Sequence, residues 1–385
     1  MRVNKLPNIL WFVIIVIMLV SCKTSKETTF LLVGSYTDKK PGKGISIYEF
    51  NNKTGEAALK FQIDSIINSS YLRLSPNGKF LYAVMESQMP HHGKVAAFRI
   101  DSLQGKISLL NMQNCGGKNP VHLEIDKTGK YLINSNYTDP TLSLFKIKSD
   151  GSLNENSQTI TFHGNSIIEG KQDTPHIHSS TFSPKGNYLF VHDLGTDKIR
   201  KFYAGENKNG DLSLQRDNPL DVKPGSGPRH FSFHPNGKYG YSIAELSGKV
   251  TAYKLEKDSL EFLEDYQANL KTQDIYRSAD IHISPDGRFL YVSNRGLEEN
   301  TIAIFSINLL DGKLKLVDHE SSFGEHPRSF IIDPSGKFLL VANQFSDNIV
   351  VFRRNIKTGK LSKLPHELTI DNPSSLQMRT YIFRQ

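Results

Sequence analysis

The 385-residue chain holds only two cysteines, Cys22 and Cys115, and a single tryptophan, Trp11. A scaffold stapled by several disulfides is therefore excluded, and a chain of this size can rest on its core instead. One tryptophan near the start cannot serve a repeated Trp-Asp motif. No stretch keeps helical periodicity through three turns. Basic clustering is also missing: 47 Lys+Arg against 39 Asp+Glu give a formal +8 that is spread along the chain. Nucleic acid requires a patch, so no nucleic-acid partner is expected. The longest apolar run, Ile9 to Val20, rises about 18 Å as a helix, short of a hydrocarbon core of about 30 Å.

What that run does fit is a secretory signal, with Arg2 and Lys5 ahead of it. It ends in Leu19-Val20-Ser21-Cys22, which resembles the lipobox of bacterial lipoproteins, cut before a cysteine that carries the lipid. Residues 1–21 are thus expected to be a signal peptide and residues 22–29 a lipidated cysteine with a polar tether. The implied location is the bacterial cell envelope, with membrane contact through the lipid anchor only. Cys115, left without a partner, is expected to be a small buried residue.

From residue 30 onward the chain is repetitive. A turn recurs six times: Ser75-Pro-Asn-Gly78, Asp126-Lys-Thr-Gly129, Ser183-Pro-Lys-Gly186, His234-Pro-Asn-Gly237, Ser284-Pro-Asp-Gly287 and Asp333-Pro-Ser-Gly336. A polar first residue, proline second and glycine fourth suit a type I turn. A β-rich strand follows each turn, as in Phe289-Leu-Tyr-Val292, and a second alternating strand comes next. Four short strands per unit of about fifty residues describe the blade of an all-β propeller. Phe30 to Tyr36 matches the strand after the turn, and the tail from Pro373 can supply the strand that would precede it. The reading is one domain over residues 30–385: seven four-stranded antiparallel blades, closed by pairing the two ends of the chain.

This topology locates a site. In each blade the start of the first strand and the end of the second lie on one face, around the central channel. Eight residues before the turn glycines stand Ser70, Val121, His178, Arg229, Ala279 and Arg328. Eight residues after them stand Glu86, Tyr137, Leu194, Glu245, Arg295 and Gln344, with Tyr36 in the shared blade. One position earlier in the second set are Asn136, Asp193, Asn294 and Asn343. The repeats agree on scaffold residues and differ here, in polar and charged types, as a mouth binding one asymmetric ligand requires.

The motifs Val33-Gly-Ser-Tyr-Thr37, His176-Ile-His178, Gly227-Pro-Arg-His-Phe-Ser-Phe-His-Pro235 with Glu245-Leu246, Ser293-Asn-Arg295 and His326-Pro-Arg328 touch the chain from end to end. Together they resemble the seven-bladed lactonase family that includes the cycloisomerase-type 6-phosphogluconolactonases. The resemblance implies a carboxylic-ester hydrolase acting on a sugar-acid lactone, without cofactor or metal. It puts catalytic roles on His178, Arg229, Glu245 and Arg295, with Tyr36, Glu86, Asn136, His176, Asp193, His230, Asn294, Arg328, Asn343 and Gln344 around the substrate. Glu245 or His178 is expected to be the acid or base, with Arg229 and Arg295 as anion clamps. Two departures touch the rim: Met85 precedes Glu86, and Thr138-Asp139-Pro140 follows Asn136-Tyr137 where relatives carry glycines. Two other readings share the fold: a surface-anchored binding module without catalysis, and a carboxymuconate-type lactonizing enzyme. A monomer is expected.

Overall fold

The computed structural model describes residues 25–37, 42–86, 91–272 and 276–384. The proposed signal and Cys22 lie outside them. Twenty-eight strands, numbered β1 to β28 in chain order, form seven four-stranded antiparallel sheets. No helix occurs among the described residues. The innermost strands are β4 (Leu72–Leu74), β8 (Pro120–Ile125), β12 (Ile177–Phe182), β16 (Pro228–Phe233), β20 (Ile281–Ile283), β24 (Pro327–Ile332) and β28 (Pro373–Arg384).

Each repeated turn closes as its residues demand. The glycine N–H donates to the carbonyl three residues back, at 2.8–2.9 Å in all six, and each glycine has φ between 69° and 85°. That left-handed conformation costs glycine little and other residues more. Side chains facing along the blades fill the gaps between neighbouring sheets. Tyr241, Ile243, Val250 and Ala252 of one blade, for example, pack on Leu290, Val292, Ala303 and Phe305 of the next.

The ring closes where the two ends of the chain meet. β28 pairs antiparallel with β1 (Ser25–Ser35) along their full lengths, so one blade has the order β28-β1-β2-β3. Here the structure corrects one expectation. Ser25–Thr29, read as tether from their polarity, are strand. Their register runs from Ser25 opposite Arg384 to Thr29 opposite Thr380, and the Thr29 and Thr380 hydroxyls meet at 2.7 Å. The twelve-residue β28 offers ladder partners that composition does not reveal. Cys115 is fully buried, its thiol pushed up to about 11 by burial, which suits packing and not nucleophilic chemistry.

Candidate active site

Five blades share a defect at the start of the inner strand. The pairing register slips between Pro120 and His122, Ile177 and Ser179, Pro228 and His230, Pro327 and Ser329, and Pro373 and Ser375. The residue skipped in each case is Val121, His178, Arg229, Arg328 or Ser374. A β-bulge leaves its extra residue out of the ladder and re-aims it. Three of the five bulges therefore deliver charged or titratable side chains to the channel mouth.

There they meet the ends of the second strands. Glu245 follows β17 (Tyr239–Ala244), and Arg295 follows β21 (Phe289–Asn294). Glu245 Oε2 accepts from Arg229 Nε at 2.8 Å and from Arg295 Nη2 at 3.0 Å, and His178 Nε2 lies 4.0 Å away. The four residues assigned to catalysis thus form one cluster. Arg229 Nη1 also donates to the Ala279 carbonyl and to His230 Nε2, while no partner holds Nη2 among the described residues. Arg295 is fully engaged: Nε on the Arg277 carbonyl, Nη1 on His326 Nε2 at 2.9 Å, Nη2 on Glu245.

Because guanidinium only donates, the nitrogens that receive it fix two tautomers. His230 and His326 both present a lone pair at Nε2. His230 then donates from Nδ1 to Asp280 Oδ1 at 2.9 Å. Asp280 also takes His282 Nε2 at 3.1 Å and the Ser329 hydroxyl at 3.0 Å. Below this layer the channel opens into a cavity of about 210 Å³, bordered by Tyr71, His122, Glu124, His230 and Asp280.

Electrostatics separate the acid and the imidazoles. Burial alone would raise the Glu245 carboxyl, but Arg295, Arg229 and Arg328 outweigh it and hold it below its usual range. Burial and the same arginines push His178 well below the ordinary imidazole value, so it is neutral at pH 7. Burial, with arginine beside it, also lowers His230 to about 4 and His326 to about 2. Burial brings Arg295 down to about 9, still charged at neutral pH.

Arg328 stands apart. Its guanidinium lies over the Tyr36 ring, 5.3 Å from the centroid, and makes no ion pair within 4.0 Å among the described residues. Tyr36 donates to Glu86 Oε2 at 2.6 Å, so Tyr36, Glu86 and Arg328 form a second patch on the rim. His176 also belongs to the rim: its ring stacks on Tyr137 at 4.3 Å, and Tyr137 meets His178 edge-on at 5.6 Å. The Gln344 carbonyl oxygen is buried without a partner.

Asn136, Asp193, Asn294 and Asn343 do not line the mouth. Alternation turns them to the other side of the strand from Tyr137, Leu194, Arg295 and Gln344. Each is fully buried. The Asn136 amide donates to the Cys115 carbonyl, Asn294 to Ala268 and Asn343 to Ser322. Those carbonyls follow the outermost strand of the preceding blade, so the asparagines latch one blade to the next. Asp193 accepts the His176 N–H and pairs with Arg200.

His326 joins the Glu245 cluster through Arg295, a contact the sequence did not reveal. His326 has φ +61°, rare for a residue with a side chain. The same repeat position, ten residues before the turn glycine, holds Asn68 (+49°), Asn119 (+54°) and Gly227 (+65°). His176 and Arg277 hold that position in two further blades, so a histidine there is not distinctive in sequence, and the positive φ of His326 is seen only in the structure.

Against this geometry, known proteins are informative. Residues 30–378 match the family model described as Lactonase, 7-bladed beta-propeller. The chain belongs to the seven-bladed β-propeller lactonase family. It is 61% identical over 351 residues to a 6-phosphogluconolactonase of Formosa agariphila, covering 91% of this chain and 99% of that relative. A Bacillus subtilis 6-phosphogluconolactonase is 33% identical, covering 89% of this chain and 95% of that relative. The periplasmic gluconolactonase PpgL of Pseudomonas aeruginosa superposes with a TM-score of 0.85 at 30% identity, covering 92% and 99% of the two chains. The mouth described above falls wholly within the matched region.

Proposed function

We propose that this lactonase hydrolyses sugar-acid lactones, binding those that carry an anionic group more tightly, from an envelope location to which Cys22 anchors it. The observation that carries the catalytic reading is Glu245, one oxygen held by two guanidiniums and the other without a partner among the described residues. Its side chain is 19% exposed, against 6% for His178, so the free Oε1 is the basic atom that reaches the mouth. An ionised carboxylate fixed in this way can take the proton of a water as that water adds to the lactone carbonyl. Arg229 Nη2 is the buried cationic donor left for the oxyanion that develops. The ring C–O bond then breaks, and its oxygen takes up a proton; His178, 4.0 Å from Glu245, is the neutral group placed to relay it. Arg295 sets the charge and geometry of Glu245, and His326 positions Arg295.

The clamp roles thereby divide. Arg229 and Arg295 are committed to Glu245, whereas Arg328 is free to take a phosphate or carboxylate of the substrate. With His178, His230 and His326 neutral, Arg229, Arg295 and Arg328 face the Glu245 and Glu86 carboxylates, an excess of one positive charge. Anchoring is supported by the signal and lipobox-like sequence ending at Cys22.

A pH-stat assay on phosphorylated and plain sugar lactones tests the reading. Acid release is expected from both, and Arg328→Ala should raise KM for the phosphorylated lactone at least tenfold while changing it less than threefold for the plain one. Acid release from neither lactone would overturn hydrolysis. Equal KM effects would overturn the role of Arg328.

A further inference from the structure

The two faces of the disc differ in what they expose. The mouth occupies one. The other carries the six repeated turns and, beside them, the outer hairpins: Tyr239 Oη donates to the Leu310 carbonyl at 2.7 Å, and Arg288 reaches the carbonyls of Ile356 and Lys357. Each repeated turn places a basic residue next to its glycine: Lys79, Lys130, Lys185, Lys238, Arg288 and Lys337, all exposed. Among the described residues only Lys185 of these pairs with a carboxylate, Asp258 at 3.9 Å. Acidic residues of the same turns are spent locally. Asp126 accepts the Lys130 and Tyr131 N–H groups, Asp333 accepts that of Phe338, and Asp286 is bound by Ser284 and Arg354. Between the lysines stand apolar tips, Leu103 at 77% exposure and Leu310 at 91%.

The N-terminus emerges on this same face. Ser25, the first residue of β1, pairs with Arg384 at the end of β28, the end remote from the mouth. Only three peptide units separate Cys22 from Ser25, a reach of at most about 11 Å. That is close to the Debye length of about 8–10 Å at physiological ionic strength. So short a link keeps the basic turns within range of an anionic surface, where lysines bind lipid headgroups and exposed leucines enter the interface.

We propose that the turn face is the surface this protein lays against an anionic lipid bilayer, so that the mouth opens away from the membrane. The inference rests on the anchoring part of the proposed function, and its test separates the two. Trp11 precedes Cys22, so an introduced tryptophan reports alone once the signal is cut. Leu310→Trp probes the turn face and Leu297→Trp, 96% exposed on the mouth face, the opposite one. The full chain is produced in bacteria, purified with its native N-terminus, and mixed with brominated phosphatidylethanolamine vesicles containing about 30% phosphatidylglycerol. The tryptophan at 310 should be quenched at least threefold more than that at 297. Lys79→Glu, Lys238→Glu and Lys337→Glu together should at least halve that ratio, with the far-ultraviolet circular dichroism unchanged. Equal quenching, stronger quenching at 297, quenching at neither position, or a ratio indifferent to the three reversals would overturn the proposal. Mass spectrometry of the N-terminal peptide decides the anchor independently. A lipid with equal quenching keeps the anchor and discards the face. Face-selective quenching without a lipid does the reverse.

Discussion

At the scale of single residues, the mouth is built to keep three buried imidazoles neutral and the Glu245 carboxylate charged. His178, His230 and His326 all titrate below the ordinary imidazole range, and Glu245 below the ordinary carboxylate range. A base whose pKa is lowered stays ionised as pH falls, so kcat/KM should be flat from pH 8 to 5.5 at 25 °C. An inflection near 6.5 would mean that a histidine with ordinary basicity limits the reaction. Counting from the turn glycine placed His178, Arg229, Glu245, Arg295 and Arg328 at the mouth, because position in a repeat sets which end of a strand a residue occupies; the resemblance to the lactonase family singled out the first four of them. It could not find the bulges that aim three of them. Nor could it show that Asp280, seven residues before Gly287, gathers His230, His282 and Ser329.

Between blades, the asparagines misread as substrate contacts carry structural load. Asn294 donates to the Ala268 carbonyl at 2.6 Å and accepts from the Ser278 hydroxyl at 2.8 Å, all in a buried setting. Asn294→Ala removes both bonds, leaving the Ala268 carbonyl to His319 and the Ser278 hydroxyl to Asn269, and should cost about 1–3 kcal/mol in urea unfolding, while kcat/KM stays within twofold. A loss of activity with stability unchanged would return Asn294 to the substrate site. Polarity next to a mouth looks the same in sequence whether the side chain points in or across. Only the two-residue alternation of the strand, anchored by Arg295 as the neighbour that points in, distinguishes them. Turns and strands were legible because glycine and proline punctuate every repeat. The strand at Ser25–Thr29 was not, because its partner lies more than 350 residues away.

For the molecule as a whole, ring closure buries a set of histidines that the unfolded chain would expose. Burial lowers His122 and His178 well below their usual value, His192 to about 3 and His230 to about 4. In each case the unfolded state binds the proton first as pH drops below about 6.5, so stability rises with pH through that window and is lost on acidification. The melting temperature should therefore begin to fall between pH 6.5 and 5, above the range where carboxylates titrate. A melting temperature constant down to pH 4.5 would show these side chains to be protonated in the native state. Seven blades matter to chemistry because Glu245 and Arg229 share one sheet, Arg295 comes from the next and His178 from the one before, while Tyr36, Glu86 and Arg328 complete the rim from three others. Only the closed ring brings them all to one opening. The most direct test is the turnover number of Glu245→Gln on a sugar lactone, measured on protein whose circular dichroism matches the parent. A fall of at least about 100-fold is predicted; turnover within threefold of the parent would contradict the account.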